Sequence, residues 1–506
     1  MKHIEHPFHR PLAAVLTMLL ACVASSPAAA QDYPLTQKYD HNPLFVNFPS
    51  PYFDKEGVGA FYSADPSARV WRIGGSDVLY VYCSHDLEPP AGCDRMDRYH
   101  IFSTEDLKTW TDHGEIFNAA QVNHQFSKEF PYAEGKDYVQ FMWAPDCMYN
   151  KADRTYYYYF PKAVAWRGKN GAPDTEWKIF VAKSKDPATG FKIMGYLDDA
   201  VSYIDPNVFL DDDGTLYFYQ GGGAHLFGGK FRKDDWTKLD GKPQEMKFTG
   251  PSDFHEGAWV FKKDGTYYLT YPDNHTPAAG GNRLRYATSN SPLGPWTEKG
   301  IYMFPHGEET AHGSVVQFKG KWYQFYHTGN YSGRGNLRSV CVDELTFDKD
   351  GGINVVENWG KPHGKPFAIG DKPVVIEAEK YNKGGSHYGY FLRHDNNGGQ
   401  LKTLKEDGVK YISNIRRQEW VRYSVSAKPG TYKFTFRVRQ NVDSGSKLTL
   451  ALDGIWVKTG ISLGDKKGAW QDVVADGVEL TGNEHYVELR GGDGDIEIDR
   501  ITINKQ

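Results

Sequence analysis

Residues 255–274 read HEGAWVFKKDGTYYLTYPDN. Trp259, Phe261, Tyr267, Leu269 and Tyr271 alternate with their neighbours on either side of Asp264-Gly265. That is the period-2 pattern and the tight-turn dipeptide of a β-hairpin. The hairpin is entered through a carboxylate, Glu256, followed by Gly257. A carboxylate carried into a buried strand is costly unless it is paired or neutralised. The pattern therefore asks for a polar cavity where the strand begins.

The same pattern recurs as DPSARVWRIGGSDVLYVY from Asp65, DCMYNKADRTYYYYF from Asp146, DPNVFLDDDGTLYFYQ from Asp205 and HGSVVQFKGKWYQFYH from His312. With Glu256 included, the starting residues are 81, 59, 51 and 56 positions apart. A hairpin repeated at such intervals is the unit of a β-propeller blade. Five copies predict a five-bladed propeller whose innermost strands open onto one face near the axis. Asp65, Asp146, Asp205, Glu256 and His312 should then converge. A single Asp before Pro is ordinarily a turn residue; the shared offset in five hairpins is what points to function. Carboxylates crowded into one pocket repel each other and lose water unequally, so their pKa values separate into a base and an acid. Glycoside hydrolysis needs that division of labour.

The 506 residues exceed one ordinary core. At the N-terminus Lys2 and Arg10 precede an apolar run, Pro11 to Val23, and then Ala28-Ala29-Ala30. Residues 1–30 read as a secretory signal peptide, so the protein is expected to be exported, periplasmic or secreted. The run is too short for a spanning helix. Cys22 within LLAC makes lipoprotein processing the alternative. Cys83, Cys93, Cys147 and Cys341 follow; Cys83 and Cys93 bracket a loop that a disulfide could close. No CxxC pair suggests zinc. A net charge of −5 without a basic block argues against nucleic acid. An aromatic content of 15% suits both a large β-core and stacking on sugar rings.

The chain thus reads as all-β. The propeller is expected over 31–366. GKPFAIGDKP forms a linker, and 372–506, with EWVRYSVSA, TYKFTFRVR and KLTLALDGI, has the size and alternation of a β-sandwich (jelly-roll) module.

On these motifs, Asp40 to about Gly352 resembles glycoside hydrolase family 43, five-bladed propellers that cleave arabinose- and xylose-containing polysaccharides with inversion. SADPSARVW, IDPNVFLDDDG and HEGAWVFKKDGTYYLTY carry the resemblance, with WAPD (143–146) and LRSVCVDELTFDKDG (337–351). It implies Asp65 as general base, Glu256 as general acid and Asp205 as the residue that tunes the acid, ionised and held by Arg338. It also implies Trp143 as a wall of the sugar pocket, Asp146 as a substrate contact or a support for the pocket, and His312 as the holder of an axial calcium, mostly through water. HDLEPPAGCDRMDRYHIFSTEDLKTWTDHGEIF resembles members acting on arabinofuranosides and xylosides.

VVIEAEKY, QEWVRYSVSAKPGTYKFTFRVR and DIEIDRITI make the C-terminal module resemble a family 6 carbohydrate-binding domain. That implies calcium at Glu377, Glu379 and Asp499, and Tyr411 and Trp470 as sugar platforms. The position of the family's ligand-binding asparagine holds Glu497. The expectation is an exo-acting, inverting α-L-arabinofuranosidase on arabinoxylan or arabinan side chains, with β-xylosidase as the alternative and no organic cofactor. A retaining fructan hydrolase would show Arg-Asp-Pro and Glu-Cys, whereas Asp205 follows Ile204 and Glu256 precedes Gly257. A non-catalytic sugar-binding propeller would lack one of the three acids, and all three are present.

Overall fold

The computed structural model of the chain describes residues 33–39, 41–46, 48, 61–87, 92–130, 141–166, 175–250, 252–273, 282–304, 310–356, 364–383, 388–392, 401–417, 419–442, 445–481, 484–492 and 494–506. The signal peptide expected over 1–30 lies outside these residues. Regular structure among them is almost entirely strand, as the density of Tyr, Phe, Trp, Val and Ile requires. No described helix is long and apolar enough to cross a membrane.

The hairpin at 259–272 forms as its pattern predicts. Strand Trp259–Lys263 pairs antiparallel with Thr266–Pro272, bringing Phe261 opposite Tyr268 and Lys263 opposite Thr266. Asp264 and Gly265 turn with φ of +49° and +80°, the sign that a two-residue hairpin of this kind demands at both positions.

Up to residue 345 the described strands form five separate sheets. The strand that leads each recurring hairpin is an edge strand of its sheet: Ser63–Ile73, Asp146–Asn150, Ile204–Leu210, Trp259–Lys263 and Gly313–Phe318. These five edge strands touch in a closed cycle, each meeting the next in chain order and the last meeting the first. Aromatic cores fill the junctions between neighbouring sheets. Tyr82 and Tyr99 of the first sheet meet Tyr158 of the second. Tyr159 and Phe218 join the second to the third, Tyr219 and Leu269 the third to the fourth, Phe261 and Tyr326 the fourth to the fifth. Phe102 and Phe325 close the cycle. Each such side chain contributes about 1.5–3 kcal/mol when fully buried, so the cycle is held by apolar packing between sheets.

Beyond residue 366, two six-stranded sheets face each other across one apolar core. Val421, Tyr423, Leu450 and Leu489 come from one sheet, Phe434, Phe436, Ile498 and Ile501 from the other. Trp420 and Phe391 leave this core and pack with Tyr302 and Val356 of the preceding region.

Cys83 and Cys93 do not form the expected disulfide; none of the four described cysteines does. Cys83 is committed to the core with Leu79, Val81 and Phe102, while Cys93 lines the cavity described next.

Candidate active site

Asp65 and Asp205 are presented by the same local device. Ala64-Asp65-Pro66-Ser67 and Ile204-Asp205-Pro206-Asn207 each interrupt strand register with a bulge. The two aspartates adopt φ of +49° and +52°. The left-handed region costs an ordinary residue about 1–2 kcal/mol and Asp less than most. Proline brings no N–H to the ladder at that point. The bulge re-aims the aspartate out of the sheet.

Asp146 follows proline instead of preceding it, and its strand is regular. This aspartate does not reach the cavity, contrary to its expected substrate contact. Its carboxylate accepts from Ser67 Oγ (2.6 Å), Asn207 Nδ2 (2.9 Å), Arg69 Nε (3.0 Å) and the backbone N–H of Cys147 (2.7 Å) and Val208 (2.8 Å). The Arg69 guanidinium also lies 4.1 Å from the Trp259 ring centre. Asp146 and Arg69 thereby staple four of the five edge strands together.

A cavity of about 140 Å³ lies at the head of the cycle. Asp65, Asp205, Glu256, His312, Arg338 and Trp143 line it, with Cys93, Asp94, Met96 and Thr310. Glu256 sits in a bend before its strand, which starts only at Trp259. Gly257 follows with φ +58°, and a Cβ there would lie 2.8 Å from His312 Nδ1. The glycine after Glu256 is thus required by its positive φ and by the approach of His312.

Arg338 departs from its expected partner. It was expected beside Asp205; it bridges Asp65 and Asp86 instead. Nη1 donates to Asp65 Oδ1 (3.0 Å), Nη2 to Asp86 Oδ1 (2.8 Å), and both Nε (3.0 Å) and the backbone N–H (2.6 Å) to Asp86 Oδ2. Burial opposes ionisation of Asp65, but the Arg338 charge, the His312 and His327 charges and a short hydrogen bond from Ser84 outweigh it, and its carboxyl is held at about 2. His327 is itself held at about 3, chiefly by burial and then by Arg338. It is neutral near pH 7, which leaves Arg338 as the principal charge acting on Asp65 there. Its Nδ1 accepts the Asp65 backbone N–H (3.1 Å) and its Nε2 faces the Thr310 carbonyl (2.5 Å). That pair of contacts requires the neutral Nε2–H tautomer and fixes the unusual backbone of Asp65.

Asp205 and Glu256 behave oppositely. Burial raises Asp205 well above the carboxylate range, reinforced by the charges of Glu256 and Asp65; the Gly257 N–H, at 3.1 Å, only partly offsets this. The contact expected between Asp205 and Arg338 is not made: Arg338 is committed to Asp65 and Asp86, and His312 Nδ1 stands 3.9 Å from Asp205 with its own pKa lowered by burial. Burial also raises Glu256; His255, 3.7 Å away, opposes this and Asp65 adds to it. The cavity thus holds one firmly ionised carboxylate and a coupled pair that favours protonation.

Trp143 forms a wall. Its Nε1 donates to the Asp94 carbonyl (3.3 Å) and its ring rests 4.6 Å from that of Trp177. Sequence reasoning missed Ser84, Asp86 and His327. Ser84 and Asp86 lie at the end of the strand that pairs with that of Asp65, Ser84 opposite Ala64; His327 comes from the fifth sheet, and only contact between distant strands brings it to Asp65.

Among the described residues, no three His, Cys, Asp or Glu side chains are gathered so as to hold a metal ion. His312 has the partner already named. Glu379 pairs with Lys410 (3.1 Å), and Asp499 with Arg437 (3.1 Å) and Arg500 (2.6 Å). Tyr411 and Trp470 meet edge to face at 5.3 Å, and the Arg439 guanidinium lies 5.0 and 4.7 Å from their ring centres. Glu497 and Glu406 bind that guanidinium. The two rings are thus engaged with a cation held by two carboxylates.

Comparison with known proteins agrees with this geometry. The profile of glycosyl hydrolases family 43 matches residues 58–353. The chain is 31% identical to xylosidase/arabinosidase 43A of Humicola insolens over 58% of its own length and 96% of the relative's. It is 25% identical to an arabinoxylan arabinofuranohydrolase of Paenibacillus polymyxa over 86% of its length and 71% of the relative's. Among solved structures it resembles CoXyl43, a β-xylosidase/α-arabinofuranosidase from a compost metagenome in complex with xylotriose. That likeness has a TM-score of 0.50 at 28% identity, over 63% of this chain and 98% of the other. The match spans Asp65, Asp205 and Glu256, and the chain belongs to the glycosyl hydrolases family 43.

Proposed function

We propose that the protein is an exported, exo-acting α-L-arabinofuranosidase that hydrolyses with inversion and releases arabinose from plant arabinoxylan or arabinan side chains. In this reading the five sheets are blades of a five-bladed propeller over 31–366, and the two C-terminal sheets are a β-sandwich over 372–506. The observation that supports it best is the opposite protonation bias within one cavity: Asp65 held at about 2 while Glu256 is raised.

Asp65, as carboxylate, takes a proton from a water attacking the anomeric carbon. Glu256 delivers a proton to the departing glycosidic oxygen. One proton enters at Asp65 and one leaves at Glu256; exchange with solvent resets both. Burial, with the charge of Asp65, biases Glu256 toward its protonated form. Trp143 offers an apolar wall to a sugar ring.

β-Xylosidase activity is the second reading, favoured by relatives named for both sugars. Arabinose is placed first because a relative matched over 86% of this chain is named an arabinoxylan arabinofuranohydrolase.

Proton NMR of the first turnovers should show the product appearing with inverted anomeric configuration, as a general base and an attacking water dictate. First appearance of the retained anomer would indicate a covalent glycosyl intermediate and overturn the assignment of Asp65.

A further inference from the structure

Beside the cavity lies a group of rings that the reaction at Asp65 and Glu256 does not use. Tyr203 directly precedes the cavity residue Ile204. Its ring centre lies 5.1 Å from that of Phe227 and 5.9 Å from that of His225. His225 and Phe227 are near-parallel at 6.5 Å. His225 is 52% exposed, with Nδ1 2.7 Å from Glu245 Oε1. Tyr203 and Phe227 are half-buried.

The turn that carries His225 is fixed against the acid. Strands Leu216–Gly222 and His225–Lys230 are joined through Gly223 and Ala224, with φ of +55° and +73°. The Ala224 N–H donates to the carbonyl of His255, the residue before Glu256 (3.2 Å). Gly222 lets Tyr203 and Ile204 close in: a Cβ there would meet the Ile204 side chain at 3.3 Å and the Tyr203 ring at 3.7 Å. The rings are therefore tied to the cavity through Ile204 on one side and through His255 on the other.

Position decides what such a group can bind. A general acid stands beside the bond to the leaving group, so whatever departs from the cleaved sugar must leave past Glu256. Half-exposed rings there suit the apolar face of a pyranose, and the exposed His225–Glu245 pair suits its hydroxyls. We propose that Tyr203, His225 and Phe227 form a leaving-group subsite that takes a pyranose ring of the chain bearing the cleaved sugar. This rests on the assignment of Glu256 as acid. It makes the enzyme read the backbone as well as the terminal residue.

The test compares Tyr203→Ala and His225→Ala with wild type on two substrates, a nitrophenyl pentoside and an arabinose-substituted xylo-oligosaccharide. On the oligosaccharide KM should rise about tenfold for Tyr203→Ala, and less for His225→Ala, with kcat nearly unchanged. On the aryl glycoside kcat/KM should stay within about twofold, because its leaving group does not need the rings. An unchanged KM for the oligosaccharide in both variants, or equal losses on both substrates, would overturn the subsite. A wild-type enzyme inert on both pentosides would instead overturn the functional reading, and the subsite with it.

Discussion

Asp65→Asn should lower kcat/KM by about 10²–10⁴-fold on every substrate, aryl glycosides included. The water must be activated whatever group departs, so no leaving group can rescue the variant. Asn keeps the size of the side chain and its place beside Ser84, and Arg338 keeps its bonds to Asp86. The protein should therefore remain folded, which circular dichroism and a melting curve would check. Stability also carries a pH signature. The Asp65 carboxyl is depressed to about 2 in the folded protein, against about 3.9 when unfolded. Its ionic contribution is fully present above about pH 4–5 and is lost as pH falls toward 2. The gap in unfolding free energy between wild type and variant should shrink across that window. Wild-type turnover by Asp65→Asn would sink its assignment as base.

Arg338→Met should be nearly as damaging and should move a pH limb. Removing the guanidinium leaves Asp65 and Asp86 buried without their shared cation, a change that costs about 3–5 kcal/mol in comparable pairs. Burial, which raises Asp65, would then be opposed chiefly by the Ser84 hydrogen bond. The acid limb of kcat/KM should climb from the low position that the depressed Asp65 carboxyl sets toward or above the ordinary carboxylate range. Activity near pH 5 should fall at least about tenfold and recover in part as pH rises. A uniform loss at every pH would indicate that Arg338 serves only to hold the fold. Asp86→Asn separates the roles further: it removes the Asp86 charge and one of the two oxygens that hold Nε and Nη2, while leaving the guanidinium charge beside Asp65.

Much of this was legible in the chain because the signals are local. The hairpin period, the Asp-Gly turn and the five polar starts are properties of short stretches, and they placed Asp65, Asp205, Glu256 and His312 at one cavity. Asp146 shows the limit. It shares the offset of the others but lacks the Asp-Pro bulge, and regular pairing directs its carboxylate into the packing between strands. The charge logic was less legible. Whether Arg338 meets Asp205 or Asp65 depends on Asp86, 252 positions away in the chain, and no spacing rule reports such a contact. The same holds for His327, which bonds the Asp65 backbone from 262 positions away. In the C-terminal sheets, Tyr411 and Trp470 carried the composition of sugar platforms. Only cross-strand geometry reveals that Arg439 already lies against both.

The division of labour between Asp65 and Glu256 is tested most directly by the leaving-group dependence of Glu256→Ala. Its kcat/KM relative to wild type should be measured on an unactivated arabinoxylan oligosaccharide and on an aryl pentoside with a strongly acidic phenol. Loss of the proton donor should cost about 10²–10⁴-fold on the first and less than about tenfold on the second, whose phenolate departs unaided. Equal losses on the two substrates would contradict the assignment of Glu256 as the acid.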